Sequence, residues 1–285
     1  MMNSLLAFMV LAGVACAQEQ LQSARDRDLY GLAKADLKAF AREVSKEAES
    51  ELGQAQMIVK WLAEHFEWKS TDYKQRTVQE IIDRGGGNCN ELAMVAVAAM
   101  KEMNMRMRRV REINIHKETH QRGVTAHDMV KQKGLRFSVF GRHHNDHVWI
   151  EIFDAKAGEW FPADPSIGIV GTREWLEARA GFGKRFTLDP ISEDMIVPFV
   201  VFAADEKGSF SINRTQHYMV EEFNRLYPNR LDKLPAWKEW VRLLDDLDEK
   251  AGGALKGEIN LHEYEKEIDQ LAEVYTQLRS EFLKR

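Results

Sequence analysis

The sequence predicts an α+β fold, because helical periodicity dominates both ends of the chain and strand periodicity dominates its middle. Apolar side chains recur at helical spacing in residues 29–66 and again in residues 235–282. Residues 147–153 instead alternate with a period of two, which is typical of a strand. Helices followed by several strands, without regular strand–helix alternation, favour an antiparallel sheet over a parallel one.

The N-terminal part of the sequence predicts several helices, the last of which is apolar. Residues 29–66 predict one interrupted helix or two. Thr77 and Glu80 have capping-box spacing and open a helix that should end at Gly85. After three glycines, Cys89 begins a segment that is apolar on most sides, which predicts a buried helix with Cys89 in its first turn.

The strands follow that helix. Residues 106–115 and 135–140 alternate charged and apolar side chains, as a half-buried strand does. The strand at 147–153 leads into a turn at 154–159, which contains Gly158, and a second strand returns at 160–163.

The C-terminal third predicts helices again. Pro235 lies early in one helix, and Asn260 with Glu263 caps the last one. Seven residues of the last helix form a heptad seam: Leu261, Tyr264, Ile268, Leu271, Tyr275, Leu278 and Phe282. We expect this seam to pack within the chain, with a dimeric coiled coil as the alternative. The predicted organisation is a signal peptide at 1–17, a helical segment at 18–56, a core at 57–200 and a helical region at 201–285.

Composition excludes some classes of partner. The chain has 285 residues, of which 44% are hydrophobic and 30% charged, and its formal charge of −5 is spread along its length. These values are ordinary for a globular protein and predict no nucleic-acid partner.

The N-terminus predicts export. Leu5 to Val14 is a ten-residue apolar run, too short to span a bilayer, and the small residues Ala15-Cys16-Ala17 follow it. We therefore expect a cleaved signal peptide and a secreted or periplasmic protein. The alternatives are a lipid anchor at Cys16 and a structural N-terminal helix. Cleavage after Ala17 would leave Cys89 as the one remaining cysteine, either an inert buried thiol or a reactive one.

Cys89, His147 and Asp164 are the candidate catalytic residues. A thiol becomes a good nucleophile when its pKa falls from about 8.5 to roughly 3.5–7.5, which a helix N-terminus and an imidazolium both favour. His147 and Asp164 lie on the two predicted hairpin strands, and a hairpin centred near Ala155 and Lys156 places both on one face. The glycines before Cys89 would let a substrate carbonyl approach the backbone.

These motifs resemble a known family. Gly87-Asn88-Cys89 opening an apolar helix, His147-Val-Trp149-Ile-Glu151 and Trp160-Phe-Pro-Ala-Asp164-Pro165 are similar to the core of the transglutaminase-like superfamily, which is papain-like. The resemblance covers about residues 61–166. It implies a cysteine enzyme whose triad is Cys89, His147 and Asp164.

An oxyanion hole needs two donors. The Cys89 amide is one candidate, and the second is open among Gln79, Trp61 and Trp68. We interpret Trp149 mainly as core or cleft wall, with contact to substrate as the alternative.

The connection before the His147 strand is longer than the resemblance implies. Residues 117–133 are therefore expected to be a loop insertion near the site, either a gate or an inert excursion. The histidines at 116, 120, 127, 143 and 144 lack metal-ligand spacing, and adjacent histidines on a strand point to opposite faces. We therefore predict neither a metal site nor a cofactor.

Two functions remain open at this point. The first is a cysteine enzyme that acts on amide bonds through a thioester, as a peptidase, an amidase or a transglutaminase. The second is a non-catalytic module that binds peptides or the cell envelope. For the enzyme, the expected partner is a protein or peptide substrate, including cell-envelope peptides.

Overall fold

Helices build the N-terminal part of the protein. The structure, a computed structural model, describes residues 26–116, 120–182 and 196–284, so the predicted signal peptide and Cys16 lie outside the described residues. In chain order this part contains α1 (residues 26–35), α2 (Leu37–Val44), α3 (Glu51–His65), β1 (Glu67–Trp68), α4 (Val78–Arg84), β2 (Gly86–Gly87) and α5 (Cys89–Glu102). Residues 29–66 thus contain three helices rather than one or two. Asp36 and Ser50 each cap a new helix by accepting a hydrogen bond from the amide three residues later.

The next part forms an antiparallel sheet. Its elements are β3 (Met107–His116), α6 (His120–Lys133), β4 (His144–Asp154), β5 (Glu159–Asp164), β6 (Ile169–Val170), α7 (Thr172–Arg179), β7 (Ile196–Ala204) and β8 (Phe210–Asn213). The strand order is β6-β5-β4-β3-β7-β8, and each neighbouring pair is antiparallel. The prediction of an α+β fold is therefore confirmed.

The C-terminal helices cover the sheet. A π-helical turn (His217–Glu222) and α8 (Phe223–Leu226) precede α9 (Pro235–Lys256), and a 3₁₀ turn (Leu261–Tyr264) leads into α10 (Glu265–Leu283). Helix α10 packs on α9 through the predicted seam, which is buried from Ile268 to Phe282.

The sheet separates two apolar cores. Val148, Ile150 and Ile152 pack with residues of the N-terminal helices on one face. Trp149 points to the other face and belongs to the core formed with α7, α9 and α10. This alternation along β4 is what a strand buried on both faces produces.

The β4–β5 hairpin differs slightly from the predicted register. Asp154 pairs with Glu159, so the hairpin is centred between Lys156 and Ala157, one residue beyond the predicted centre. Gly158 has φ 73° and absorbs this shift in the turn. The register continued from the pair Ile150–Ala163 places Asp164 opposite Trp149, two residues from His147. His147 and Asp164 therefore lie on one face of the sheet, as predicted, but diagonally and not directly opposite each other.

Two predictions about the connection before β4 are wrong. Residues 135–140 were expected to be a strand, but Leu135–Val139 is a 3₁₀ helix, because Gly134 at φ 99° turns the chain and accepts from the Phe137 amide. A segment this short can read as either helix or strand from its pattern. Residues 117–133 were expected to be a loop, but His120–Lys133 is a helix in which Ala126 is buried; residues 117–119 lie outside the described residues.

Within the described ranges, no helix is both long enough and apolar enough to cross a membrane.

Candidate active site

Cys89 is the first residue of α5, and a capping box fixes that position. The Asn88 side chain accepts from the Glu91 amide at 3.1 Å, and the Glu91 carboxylate accepts from the Asn88 amide at 3.0 Å. Glu91 is buried and also binds Arg76 at 2.8 Å and Arg84 at 3.4 Å. The capping box and the two arginines thus fix the start of the helix, and the half-exposed Cys89 thiol lies at its positive end.

The glycines before Cys89 serve packing within the protein. Gly85 ends α4 in the left-handed conformation at φ 73°. Gly86 pairs with Glu67 across the parallel β1–β2 bridge so closely that a Cβ would lie 2.0 Å from the Glu67 carbonyl oxygen. A Cβ on Gly87 would lie 2.6 Å from the Cβ of Glu91. The glycine run therefore lets β2 approach β1 and Glu91, rather than providing the substrate approach expected from the sequence.

His147 and Asp164 form a buried pair on adjacent strands. His147 Nε2 lies 2.7 Å from Asp164 Oδ2, and both side chains are almost fully buried. Asp164 Oδ1 accepts from the Ser166 amide at 2.9 Å, so the carboxylate both stabilises the turn and holds the imidazole. Since Nε2 is engaged by Asp164, Nδ1 is the ring nitrogen left for the thiol, and Cys89 is close enough to His147 to help raise the pKa of the imidazole. The structure thus brings the three predicted catalytic residues together in one chain of contacts.

The electrostatics favour a charged imidazolium. Burial would lower the pKa of His147, but the Asp164 carboxylate and, to a smaller extent, Cys89 outweigh it and raise the pKa to about 10. Burial likewise opposes ionisation of Asp164, yet the His147 charge and hydrogen bond, helped by Arg179, lower the pKa of that carboxyl. At neutral pH the site therefore holds a cationic His147 between an anionic Asp164 and the Cys89 thiol.

A second buried network lies behind this pair. Glu112 on β3 accepts from Trp149 Nε1 at 2.9 Å and from Asn114 Nδ2 at 3.1 Å, and it forms a fully buried ion pair with Arg179 of α7. These contacts tie β3, β4 and α7 together where His147 pairs with Glu112 across the sheet. Glu112 and Arg179 could not be predicted from the sequence, since nothing in the spacing of the two residues suggests that they meet.

A cavity of about 870 Å³ opens in front of Cys89 and His147. Helix α6 contributes its last residue, Lys133, to the lining, and the following 3₁₀ turn contributes Arg136 and Phe137. Among the described lining residues, lysine and arginine outnumber carboxylates; the cations are Lys74, Arg76, Arg111, Lys133 and Arg136, and the anions are Glu91 and Asp146.

The four residues considered for the oxyanion hole or for substrate contact occupy different environments. Trp68 lines the cavity with Cys89, and its buried Nε1 has no hydrogen-bond partner among the described residues. Gln79 is exposed on α4 and donates to the Lys34 carbonyl, while Trp61 is buried among the N-terminal helices. The Trp149 indole is buried and donates to Glu112. Of these four, only Trp68 is among the residues that line the cavity.

Two histidines of β4 have separate hydrogen-bond partners. His144 donates Nδ1–H to the Val139 carbonyl at 3.0 Å, and burial lowers its pKa to about 4, so it is neutral. His147 is engaged by Asp164.

A comparison with protein families identifies one stretch of this chain. Residues 38–165 match the family described as the transglutaminase-like superfamily. This stretch is a transglutaminase-like domain. It contains α2 except its first residue, all of α3 to α5, and β3 and β4; its last residues include Asp164, so all three candidate catalytic residues lie inside it. Transglutaminase-like proteins are typically cysteine-dependent enzymes, and here the cysteine at the start of the buried helix is Cys89.

Solved structures show more distant similarity to this chain. One is a protein from Cytophaga hutchinsonii that is provisionally named a cysteine protease; it is 14% identical with a TM-score of 0.32, and the match covers 47% of this chain and 37% of that one. Another is the Rad4–Rad23 complex bound to a 6-4 photoproduct lesion, at 14% identity and a TM-score of 0.32, covering 88% of this chain and 53% of that one. The chain thus spans about half or less of the length of these proteins. Comparison with curated proteins finds no match.

Proposed function

We propose that this protein is a cysteine-dependent enzyme that acts on amide bonds through a thioester on Cys89. The observation that carries the proposal is the contact chain Cys89–His147–Asp164, which lies at the head of a capped helix and faces a cavity of about 870 Å³. A non-catalytic binding module would have no need to bury a charged histidine–carboxylate pair, since such a pair is costly to desolvate.

The chemistry follows from the charges. The Cys89 thiolate attacks the carbonyl carbon of the amide, forming a C–S bond and a tetrahedral oxyanion. The oxyanion collapses, the C–N bond breaks, and the leaving nitrogen takes the proton of the His147 imidazolium. Neutral His147 then accepts a proton from water or from an amine, which attacks the thioester and releases Cys89. Water gives a peptidase or amidase, and an amine gives a transglutaminase.

Trp68 is the strongest candidate for the second oxyanion donor. The first is the Cys89 amide, which lies at the helix N-terminus where backbone N–H groups are free. The Trp68 indole has a donor without a partner among the described residues and lines the same cavity. Trp149 cannot supply this donor while its indole is bound to Glu112.

We further propose an exported enzyme with a protein or peptide substrate that carries acidic groups. The predicted signal peptide supports export, with a lipid anchor at Cys16 as the alternative. The excess of lysine and arginine in the cavity supports an acidic substrate, because opposite charges strengthen binding in a partly enclosed site.

A screen for release of ammonia or amines tests the proposed function. The purified protein is incubated with peptides, glutamine-containing peptides and cell-wall fragments, beside a Cys89→Ala variant. We expect turnover of at least one substrate class by the wild type and none by the variant, while circular dichroism shows the same fold. Equal turnover by the two proteins would exclude Cys89 as the nucleophile.

A further inference from the structure

A second cluster of ligand-type side chains lies away from Cys89. His127 on α6, His262 in the 3₁₀ turn and Glu265 at the start of α10 place one donor atom each within 4.8 Å of one another. The rings of His127 and His262 are 4.1 Å apart between centroids. None of the three belongs to the described residues that line the active-site cavity.

The hydrogen bond of His262 fixes which nitrogen faces the cluster. His262 Nε2 lies 2.8 Å from the Phe140 carbonyl oxygen, so Nε2 carries the hydrogen and donates it. Nδ1 is then an acceptor, and it is buried with no hydrogen-bond partner in the part of the chain that the structure describes. An imidazole that donates one N–H to a backbone carbonyl and leaves its other nitrogen bare is the arrangement found at metal-binding histidines.

The donor set selects the class of metal. Two imidazole nitrogens and one carboxylate oxygen are a set that Zn²⁺ accepts in tetrahedral sites with a water as the fourth ligand, whereas Ca²⁺ and Mg²⁺ prefer oxygen alone. Ligand atoms about 2.0–2.2 Å from zinc lie about 3.4 Å apart in a tetrahedron, so small side-chain rotations close the observed spread. We propose that His127, His262 and Glu265 bind a zinc ion that links α6 to the start of α10.

Such an ion would act on the wall of the active-site cavity. Helix α6 ends in Lys133, and the turn after it supplies Arg136 and Phe137 to the cavity. Phe140, whose carbonyl holds His262, lines the cavity as well. The proposed zinc would therefore fix this wall to the C-terminal helices. Its role would be to position the wall, and it would take no part in the bond chemistry at Cys89.

Zinc binding is measured by titration of the full-length protein in a background with Cys16→Ala and Cys89→Ala, which removes both thiols as competing ligands. We expect one zinc ion per chain, and at least a tenfold weaker affinity after His127→Ala or Glu265→Gln, since even loss of a supporting partner costs roughly 10–100-fold. His127 is exposed, so its replacement leaves the core intact. His217→Ala is the matched control, because His217 also lies near a carboxylate, Glu221 at 3.6 Å, but outside the cluster.

Two further measurements, thermal melting and cobalt spectroscopy, test zinc binding without an activity assay. Added zinc should raise the melting temperature of the parent and of His217→Ala but not of His127→Ala. Cobalt bound to the protein that retains Cys89 should lack the thiolate-to-metal charge-transfer band that binding at the thiol would produce. Equal zinc affinity in the parent and in His127→Ala, or no zinc binding by the parent, would overturn the proposal. Neither result would bear on the thioester chemistry of Cys89, so the two proposals are tested separately.

Discussion

Replacing Glu112 by glutamine should destabilise the protein strongly. Trp149 and Asn114 donate to different oxygens of Glu112, so the single oxygen of glutamine can keep only one of these hydrogen bonds, and the substitution also removes the charge that pairs with Arg179. Both side chains of the ion pair are 0% exposed, so no water can take over. Arg179 would lose its hydrogen-bonded anionic partner inside the protein, and its Nε and Nη1 have no hydrogen-bond partner among the described residues.

The size of the loss follows from that burial. Removing one partner of a buried ion pair typically costs about 3–5 kcal/mol. For a domain of this size, each kcal/mol lowers the melting temperature by roughly 2–4 °C, so we expect a decrease of roughly 6–20 °C. The free energy of unfolding is measured by urea titration and the melting temperature by calorimetry.

A surface pair is the control for this measurement. Glu239 and Arg242 lie 2.6 Å apart on α9, with side chains that are 39% and 52% exposed. Glu239→Gln should therefore lower the stability far less than Glu112→Gln does, because exposed ion pairs contribute little. In addition, Arg179→Met in the Glu112→Gln protein removes the orphaned charge and should restore part of the stability. A loss in Glu112→Gln no larger than in Glu239→Gln, or no recovery in the double variant, would refute a buried charged network behind the site.

Three further predictions concern the site itself. Asp164→Asn should preserve the fold but lower kcat on the order of a hundredfold or more, because His147 loses the group that fixes its tautomer and charge. A loss below about threefold would mean that Asp164 only stabilises the turn. The pKa of His147 is raised from 6.5 to about 10, so its contribution to stability is complete below pH 6.5 and is lost as the pH rises to about 10. Urea titrations across that range should show this decline in the wild type but not in His147→Asn, and equal declines would contradict it. Lys133→Ala should raise KM for acidic peptides with little change in kcat, whereas Lys101→Ala, on the exposed end of α5, should leave both unchanged; an unchanged KM in Lys133→Ala would remove Lys133 from substrate binding.

Local signals explain what the sequence could predict of the fold. The Thr77–Glu80 capping box, the Gly85 helix end and the apolar helix from Cys89 are each encoded within a few residues, and the structure has all three. The two-residue period of β4 likewise reflects its own two faces. Such features depend on residues that are close in sequence, so they can be predicted without knowledge of the tertiary contacts.

Features that depend on distant partners could not be predicted. Glu112 and Arg179 meet only because β3 and α7 pack together, and His127 meets His262 only because α6 lies against the turn before α10. Neither partner has a spacing that suggests the other. Helix α6 was missed for a related reason: it is polar, and its sequence lacks a strong apolar face from which a helix could be predicted.

In the active site, too, some residues could be predicted from the sequence and others could not. A shared family motif predicted Cys89, His147 and Asp164, and the structure brings them together, while their catalytic roles stay a prediction. The choice between Trp68, Trp61, Gln79 and Trp149 could not be made from the sequence, because it depends on which side chain reaches the cavity.

The reactivity of Cys89 tests the central claim most directly, because it needs no substrate. The protein carrying Cys16→Ala is treated with iodoacetamide at about pH 6, and the alkylated residue is located by peptide mass mapping, beside the same protein with His147→Asn. The account predicts rapid alkylation of Cys89 near pH 6 that becomes at least tenfold slower without the imidazolium. Alkylation that is fast only above about pH 8, at the same rate in both proteins, would show an ordinary thiol and contradict the proposed enzyme.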